Sequence, residues 1–223
     1  MDAVIKVGGS LAANAVNLRA LCAELRKADE RFRLVVVPGG GEFADIVRTM
    51  DSRFVLDPRV THRMAVLGMD QYGLLLSTMI PECRTALSLG VVPGLSGPGR
   101  LVVLLPSRVV FRARSLEASW EVTSDTIAAY VAGRLGIEKL VLVTNVDGIF
   151  TTDPKIDAQA SLLKEISASG LIELDSRTSV DRFLPRMLLK YGLTCFVING
   201  FFPERIAEVL EGKETVCTRI LPK

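Results

Sequence analysis

Apolar runs and mixed polar segments alternate along the chain, and the period of the pattern changes between them. "AVIKV" and "KLVLVTN" are continuous apolar runs of strand length, as buried parallel strands read. "FRLVVV" and the late "TCFVING" have the same character. Between them the period shifts toward 3.6. In "NLRALCAELRKA", Leu18, Leu21, Cys22 and Leu25 fall on one helical stripe. "EFADIVRTM", "PRVTHRMAVLGMDQYGLLLSTMI" and "SDTIAAYVAGRLG" also read as helices, and "PERIAEVLEG" reads as a closing helix with Pro at its start and Gly at its end. "GRLVVLLPS" and "RVVFRARS" are expected as two strands separated by Pro106, with "VDGIF" as a turn. Alternation of this kind predicts an α/β fold, a mainly parallel central sheet with helices on both faces. Ligands of such folds bind at the carboxyl ends of the strands.

Composition narrows the function classes. The chain has 223 residues, 49% of them apolar, which suits one domain with a sizeable core. A net charge of +2 gives no basis for nucleic-acid or anionic-membrane binding, so anion recognition has to be local. Four scattered cysteines form no CxxC pair, which disfavours zinc and disulfides and fits a reducing cytoplasm. No run reaches membrane-spanning length, and no leader-like N-terminus is expected. The single histidine, His62, excludes a multi-His metal site and reads as a helix-face residue without an assigned role.

The candidate chemistry lies at strand ends. "VIKVGGS" places Lys6 inside an apolar run just before Gly8 and Gly9. "VVVPGGGEFAD" ends another run in Gly39, Gly40 and Gly41. Glycine admits close approach of backbone N–H groups, and a helix start adds unpaired donors, so each cluster is a candidate phosphate cradle. A lysine beside such a cradle would be paired with an anion outside the chain. A plain turn explains a lone Gly-Gly about as well. "GGGEFA" also fits G-x-G-x-x-A, which keeps a dinucleotide-dependent oxidoreductase open, but Asp57, followed by Pro58, is a poor ribose acid. Asp125 near a helix start, and Asp147 and Asp153 in "TNVDGIFTTDP", have ordinary capping and turn roles as alternatives.

Taken together, "IKVGGS", "VVVPGGGEFAD", "VTSDTIAAYVA", "KLVLVTNVDGIFTTDP" and "CFVINGFFPERI" resemble the amino acid kinase family, in that family's order and over nearly the whole chain. The resemblance implies a three-layer α/β/α sandwich. It also implies a single domain, with residues 1–135 forming an acceptor lobe and 136–223 an ATP lobe. The implied reaction moves the ATP γ-phosphoryl group, with Mg²⁺, to a carboxylate, carbamate or phosphate. Carried over by position, Lys6 would bridge donor and acceptor oxygens and Asp125 would orient it. Gly8, Gly9 and Ser10 would line the donor phosphates. Thr144, Asp147, Phe150, Asp153 and Pro154 would wrap the nucleotide. Gly39, Gly40 and Gly41 would hold the acceptor's anionic group, with Thr123 also on the substrate side. The family's "GMxxK"-like cation is replaced by "VDRFLPRMLLK", which makes Arg186 the candidate and Lys190 the reserve. "HRMAVLGMDQYGLLLS" and "SWEVTSDTIAAYVAG" look most like the small kinases of the methanofuran branch, whose acceptor is an aminomethylfuran phosphate. Trp120 would then stack on the furan, and Glu42, Asp45 or Asp70 would meet the ammonium. Arg112 and Arg114 are expected on a solvated strand face. A uridylate-kinase-like enzyme, a carboxylate kinase and a non-catalytic storage protein of the same fold are the alternatives. The exposed face of the helix from Met64 to Met79 suggests a homo-oligomer.

Overall fold

The computed structural model describes residues 1–113, 115–152, 154, 156–157, 159–174 and 178–223. In chain order the elements are β1 (Ala3–Val7), α1 (Ala15–Asp29), β2 (Leu34–Pro38), α2 (Gly41–Phe54), α3 (Pro58–Met79), β3 (Arg84–Ala86), α4 (Val92–Leu95), β4 (Val102–Leu104) and α5 (Ser107–Val110). They continue with α6 (Ser124–Leu135), β5 (Lys139–Thr144), β6 (Glu165–Ser167), α7 (Ala168–Glu173), α8 (Leu184–Tyr191), β7 (Thr194–Asn199), α9 (Arg205–Glu211) and β8 (Thr218–Leu221).

The strands form one eight-stranded sheet in the order β3-β4-β2-β1-β5-β7-β8-β6. Pairing is parallel except between β7 and β8. Successive side chains on a strand point to opposite faces, and the two faces build separate cores. Ala3, Ile5 and Val7 of β1 pack with α1 and α9 residues such as Leu21, Leu25 and Ile206. Val4 faces the other way, toward Ile127 and Val131 of α6 and Leu188 of α8. Lys6 is two residues from Val4, so it shares the α6 face.

From β1 the chain builds outward through β2 and β4, then returns to the opposite side of β1 with β5. The switch point therefore lies over the carboxyl ends of β1 and β5, where open α/β sheets place their ligand crevice. Pairing runs on past the strands: Gly8 N–H donates to Val143 O at 2.8 Å, and Gly39 N–H donates to Val7 O at 2.8 Å.

The fold departs from the sequence pattern in three places. "RVVFRARS" is not a strand. Asp70 of α3 accepts from the Ser107 N–H at 3.0 Å and from its hydroxyl, which caps the short helix α5. Arg112 consequently sits in the exposed turn after α5, and Arg114 lies outside the described residues. The chain closes on β8, packed antiparallel on β7, rather than on α9. Helix α8, capped by Asp181, occupies the segment read only for its cations.

Candidate functional site

Lys6 is the penultimate residue of β1, between Val37 of β2 and Leu142 of β5 in register. The residue is 9% exposed, so its charge requires a partner. Asp125 supplies it: Nζ lies 2.8 Å from Asp125 Oδ1. The buried lysine thus has a counter-ion within the chain, Asp125, the residue that the family resemblance assigned to orient it, in addition to the external anion expected from the glycine clusters. Asp125 reaches that position because α6 starts one residue earlier, with Thr123 at its N-cap. Its second oxygen, Oδ2, accepts from the Asp181 N–H at 3.3 Å.

Asp181, which carried no expectation from the sequence, ties the site to the fold. Its carboxylate accepts from Thr123 N–H (3.1 Å) and hydroxyl (2.8 Å), from Thr126 N–H (2.9 Å) and hydroxyl (2.5 Å), and from the Phe183 and Leu184 N–H groups (3.1 and 2.8 Å). One side chain therefore caps the first turns of both α6 and α8. Burial, with the Asp125 charge second, pushes its carboxyl above the ordinary range.

The two glycine clusters meet each other over Lys6. A Cβ on Gly9 would collide with Gly41 N, and one on Gly39 would stand 2.6 Å from Gly9 N. A Cβ on Gly8 would meet Val143 O at 2.8 Å and lie 3.8 Å from Lys6 Nζ. Glycine is thus required for backbone-on-backbone packing, and Gly41 opens α2 at φ +55° with no side-chain cap. The first-turn N–H groups of α2 start at the same edge, where a helix terminus favours an anion.

Above these groups lies a cavity of about 550 Å³. Lys6, Gly8, Gly9, Ser10, Gly40 and Gly41 line one end, with Thr123, Thr144 and Asn145 beside them. Ala65, Val66 and Met69 of α3 form an apolar wall together with Trp120, Val122 and Ile127. Trp120 Nε1–H donates to Asp51 Oδ2 at 3.1 Å, and Arg48, which also lines the cavity, stacks 5.0 Å from the ring centroid.

Other expected residues sit elsewhere. Asp147 pairs with Arg205 at 2.5 Å and accepts from Asn199 at 3.3 Å, at the carboxyl edge beyond β5 but outside the cavity lining. Phe150 forms a bridge with Leu162, Pro154 is exposed, and Asp153 lies outside the described residues. Arg186 is exposed on α8 over Phe183, and Lys190 is exposed over Tyr191. Neither lines the cavity. Asp70 is committed to Ser107 and does not line it either. His62, read as a helix-face residue without a role, is 5% exposed and does line it. Among the described residues no group of three or more His, Cys, Asp or Glu is assembled that could hold a metal ion.

Comparison with known proteins identifies the family. Over 218 residues the chain is 31% identical to the [5-(aminomethyl)furan-3-yl]methyl phosphate kinase of Methanocaldococcus jannaschii, covering 98% of this chain and 97% of that one. It is 24% identical to the uridylate kinase of Pyrococcus abyssi, covering 96% of each. The uridylate kinase structure from Archaeoglobus fulgidus superposes with a TM-score of 0.80 at 22% identity, over 99% of this chain and 100% of that one. The profile of the amino acid kinase family matches residues 1–199, and the chain belongs to that family of phosphotransferases.

Proposed function

We propose that this kinase transfers the γ-phosphoryl group of ATP to a small phosphomonoester, [5-(aminomethyl)furan-3-yl]methyl phosphate, giving its diphosphate. The observation that carries this reading is the two-ended cavity. A buried Lys6–Asp125 pair under two glycine turns forms one end, and an apolar wall with a flat indole forms the other. The relative from Methanocaldococcus jannaschii supports the acceptor. UMP is the second reading, favoured by the uridylate kinases among the relatives.

In this reading a phosphate oxygen of the acceptor attacks the γ-phosphorus, and the bond from that phosphorus to the oxygen bridging it to the β-phosphorus breaks. The attacking phosphate is largely dianionic near neutral pH, since its second pKa is about 6. No proton has to move and no general base is needed. Lys6 follows the charge on the transferring oxygens while Asp125 holds the ammonium in place. The glycine N–H groups and the α2 N-terminus are fixed dipoles that need no reorganisation. Mg²⁺ would be carried by the nucleotide phosphates, with Asp125 beside Lys6 as the candidate acid, and would supply charge neutralisation for the transfer. The chain from residue 136 onward, which supplies Thr144 and Asn145, is the nucleotide side. Residues 1–135 form the acceptor side.

The reading includes a cytoplasmic homo-oligomer with no membrane or nucleic-acid partner. No described helix is long and apolar enough to cross a membrane. Val60, Leu67 and Leu74 stand 48, 47 and 51% exposed at intervals of seven along α3, a stripe suited to a second copy. The acceptor is tested by kcat/KM for the aminomethylfuran phosphate and for UMP. A higher value for the furan phosphate supports the reading, and a higher value for UMP replaces it with a uridylate kinase.

A further inference from the structure

His62 shares the cavity stripe of α3 with Ala65, Val66 and Met69, at helical spacings of three, four and seven. It is the one polar side chain of that stripe. Its Nδ1 lies 3.0 Å from Ser119 O. A carbonyl oxygen only accepts, so Nδ1 carries the hydrogen. Burial holds the imidazole pKa below its usual value, so the ring is neutral near pH 7. In that tautomer Nε2 holds a lone pair, and no hydrogen bond to it is formed among the described residues. The same bond to Ser119 holds the residue next to Trp120.

Of the acids that the sequence offered for an acceptor amine, Glu42 and Asp45 line the same cavity from α2, and Asp70 does not line it. Asp70 is spent on Ser107. Asp45 pairs with Arg48 at 2.5 Å. Glu42 is exposed in the first turn of α2, beside Gly41 at the anion-binding end.

We propose that His62 is the specificity-determining residue for the end of the acceptor remote from its phosphate, with Nε2 accepting an N–H hydrogen bond from a primary ammonium carried on the acceptor's ring. The ring lies along Val66, Met69 and Trp120, its phosphate faces Lys6 and the glycines, and its amine ends at His62. This rests on the acceptor class proposed above. An analogue lacking the amine leaves Nε2 unpaired on binding and loses about tenfold in kcat/KM, the scale of one ordinary hydrogen bond.

The chain suits a direct test, because it has one histidine and one tryptophan. Protein labelled with ¹⁵N-histidine gives imidazole resonances from His62 alone, and intrinsic fluorescence from Trp120 alone reports whether a ligand binds. The probes are [5-(aminomethyl)furan-3-yl]methyl phosphate and the same phosphate with methyl in place of aminomethyl. The expected result is a free protein with hydrogen on Nδ1 and an Nε2 resonance that moves toward the hydrogen-bonded position with the amine only. An Nε2 resonance that moves equally with both, or with neither while fluorescence shows both bound, overturns the role of His62 and leaves the acceptor class standing. Hydrogen on Nε2 in the free protein overturns it too. If neither phosphate binds while UMP does, the acceptor class fails and the inference fails with it. His62→Asn keeps a donor for Ser119 O and removes the Nε2 lone pair. It should lower kcat/KM for the amine about tenfold and leave the analogue within about threefold. An equal loss for both contradicts the assignment.

Discussion

Lys6 Nζ and Asp125 Oδ1 stand 2.8 Å apart, joining residues 119 positions apart in sequence, and both side chains are close to nine-tenths buried. The pair fixes where α6 crosses β1, and it places a cation under the glycine turns. Removing one partner leaves a buried charge uncompensated, which typically costs about 3–5 kcal/mol. Lys6→Met and Asp125→Asn should each lower stability on that scale in urea unfolding. The double variant should be more stable than the sum of the two losses. Strictly additive losses would show that the two groups do not interact.

Asp181 holds the first turns of α6 and α8 with six accepted hydrogen bonds. Asp181→Ala strands several buried donors, so a loss of about 3 kcal/mol or more is expected. Asp181→Asn should recover part of it. Because Thr123 and Asp125 are positioned from here, kcat should fall while acceptor KM changes little. Unchanged melting of Asp181→Ala would contradict the capping role.

Asp29, the last residue of α1, is fully buried with neither carboxylate oxygen hydrogen-bonded among the described residues. Burial, partly offset by the Leu101 backbone amide and then by the nearby Arg26, raises its pKa from 3.8 to about 6. The folded state then binds a proton more tightly than the unfolded chain. The penalty for the charged form is fully present above about pH 6, and it fades as pH falls toward the unfolded value. That shift corresponds to roughly 2–3 kcal/mol. Asp29→Asn should therefore melt higher than wild type at pH 8, and the gap should close near pH 4. Equal melting temperatures at pH 8 would refute this.

The exposed α3 stripe predicts the assembly state. Leu67→Glu with Leu74→Glu places charge on that face and should shift the chain to a smaller species in light scattering, with helix content retained. An unchanged mass, with wild type larger than a monomer, would place the interface elsewhere.

Much of this site was legible because it rests on local patterns. Apolar runs that stop at Gly8 and Gly39 mark strand ends, and the periodic run behind Asp125 marks a helix start. Lys6 stood out as a charge inside a strand. Asp125 was joined to it only through the family resemblance, because which helix covers a strand is decided by chain crossings and not by neighbours in sequence. The misreading of "RVVFRARS" has the same origin: its β-branched residues favour a strand, but Asp70, 37 positions away, caps Ser107 into a helix. The strands β3, β6 and β8 have three, three and four residues, too few to show a period. His62 was passed over because an inward-facing helix position reads alike whether it meets a core or a cavity. The charge run around Arg186 could not show that the residue faces solvent on α8.

The central claim is that Lys6, paired with Asp125 at the β1–β5 switch point, drives phosphoryl transfer to a phosphomonoester. It is tested most directly by ³¹P NMR on wild type and Lys6→Ala, each supplied with ATP, Mg²⁺ and [5-(aminomethyl)furan-3-yl]methyl phosphate. Wild type should convert the monoester resonance into a pair of coupled diphosphate doublets, one product for each ADP formed. Lys6→Ala, with its fold verified by circular dichroism at the assay temperature, should do so at least about a hundredfold more slowly, the usual cost of one transition-state donor. Orthophosphate without diphosphate, or a folded Lys6→Ala enzyme turning over at the wild-type rate, would contradict the account.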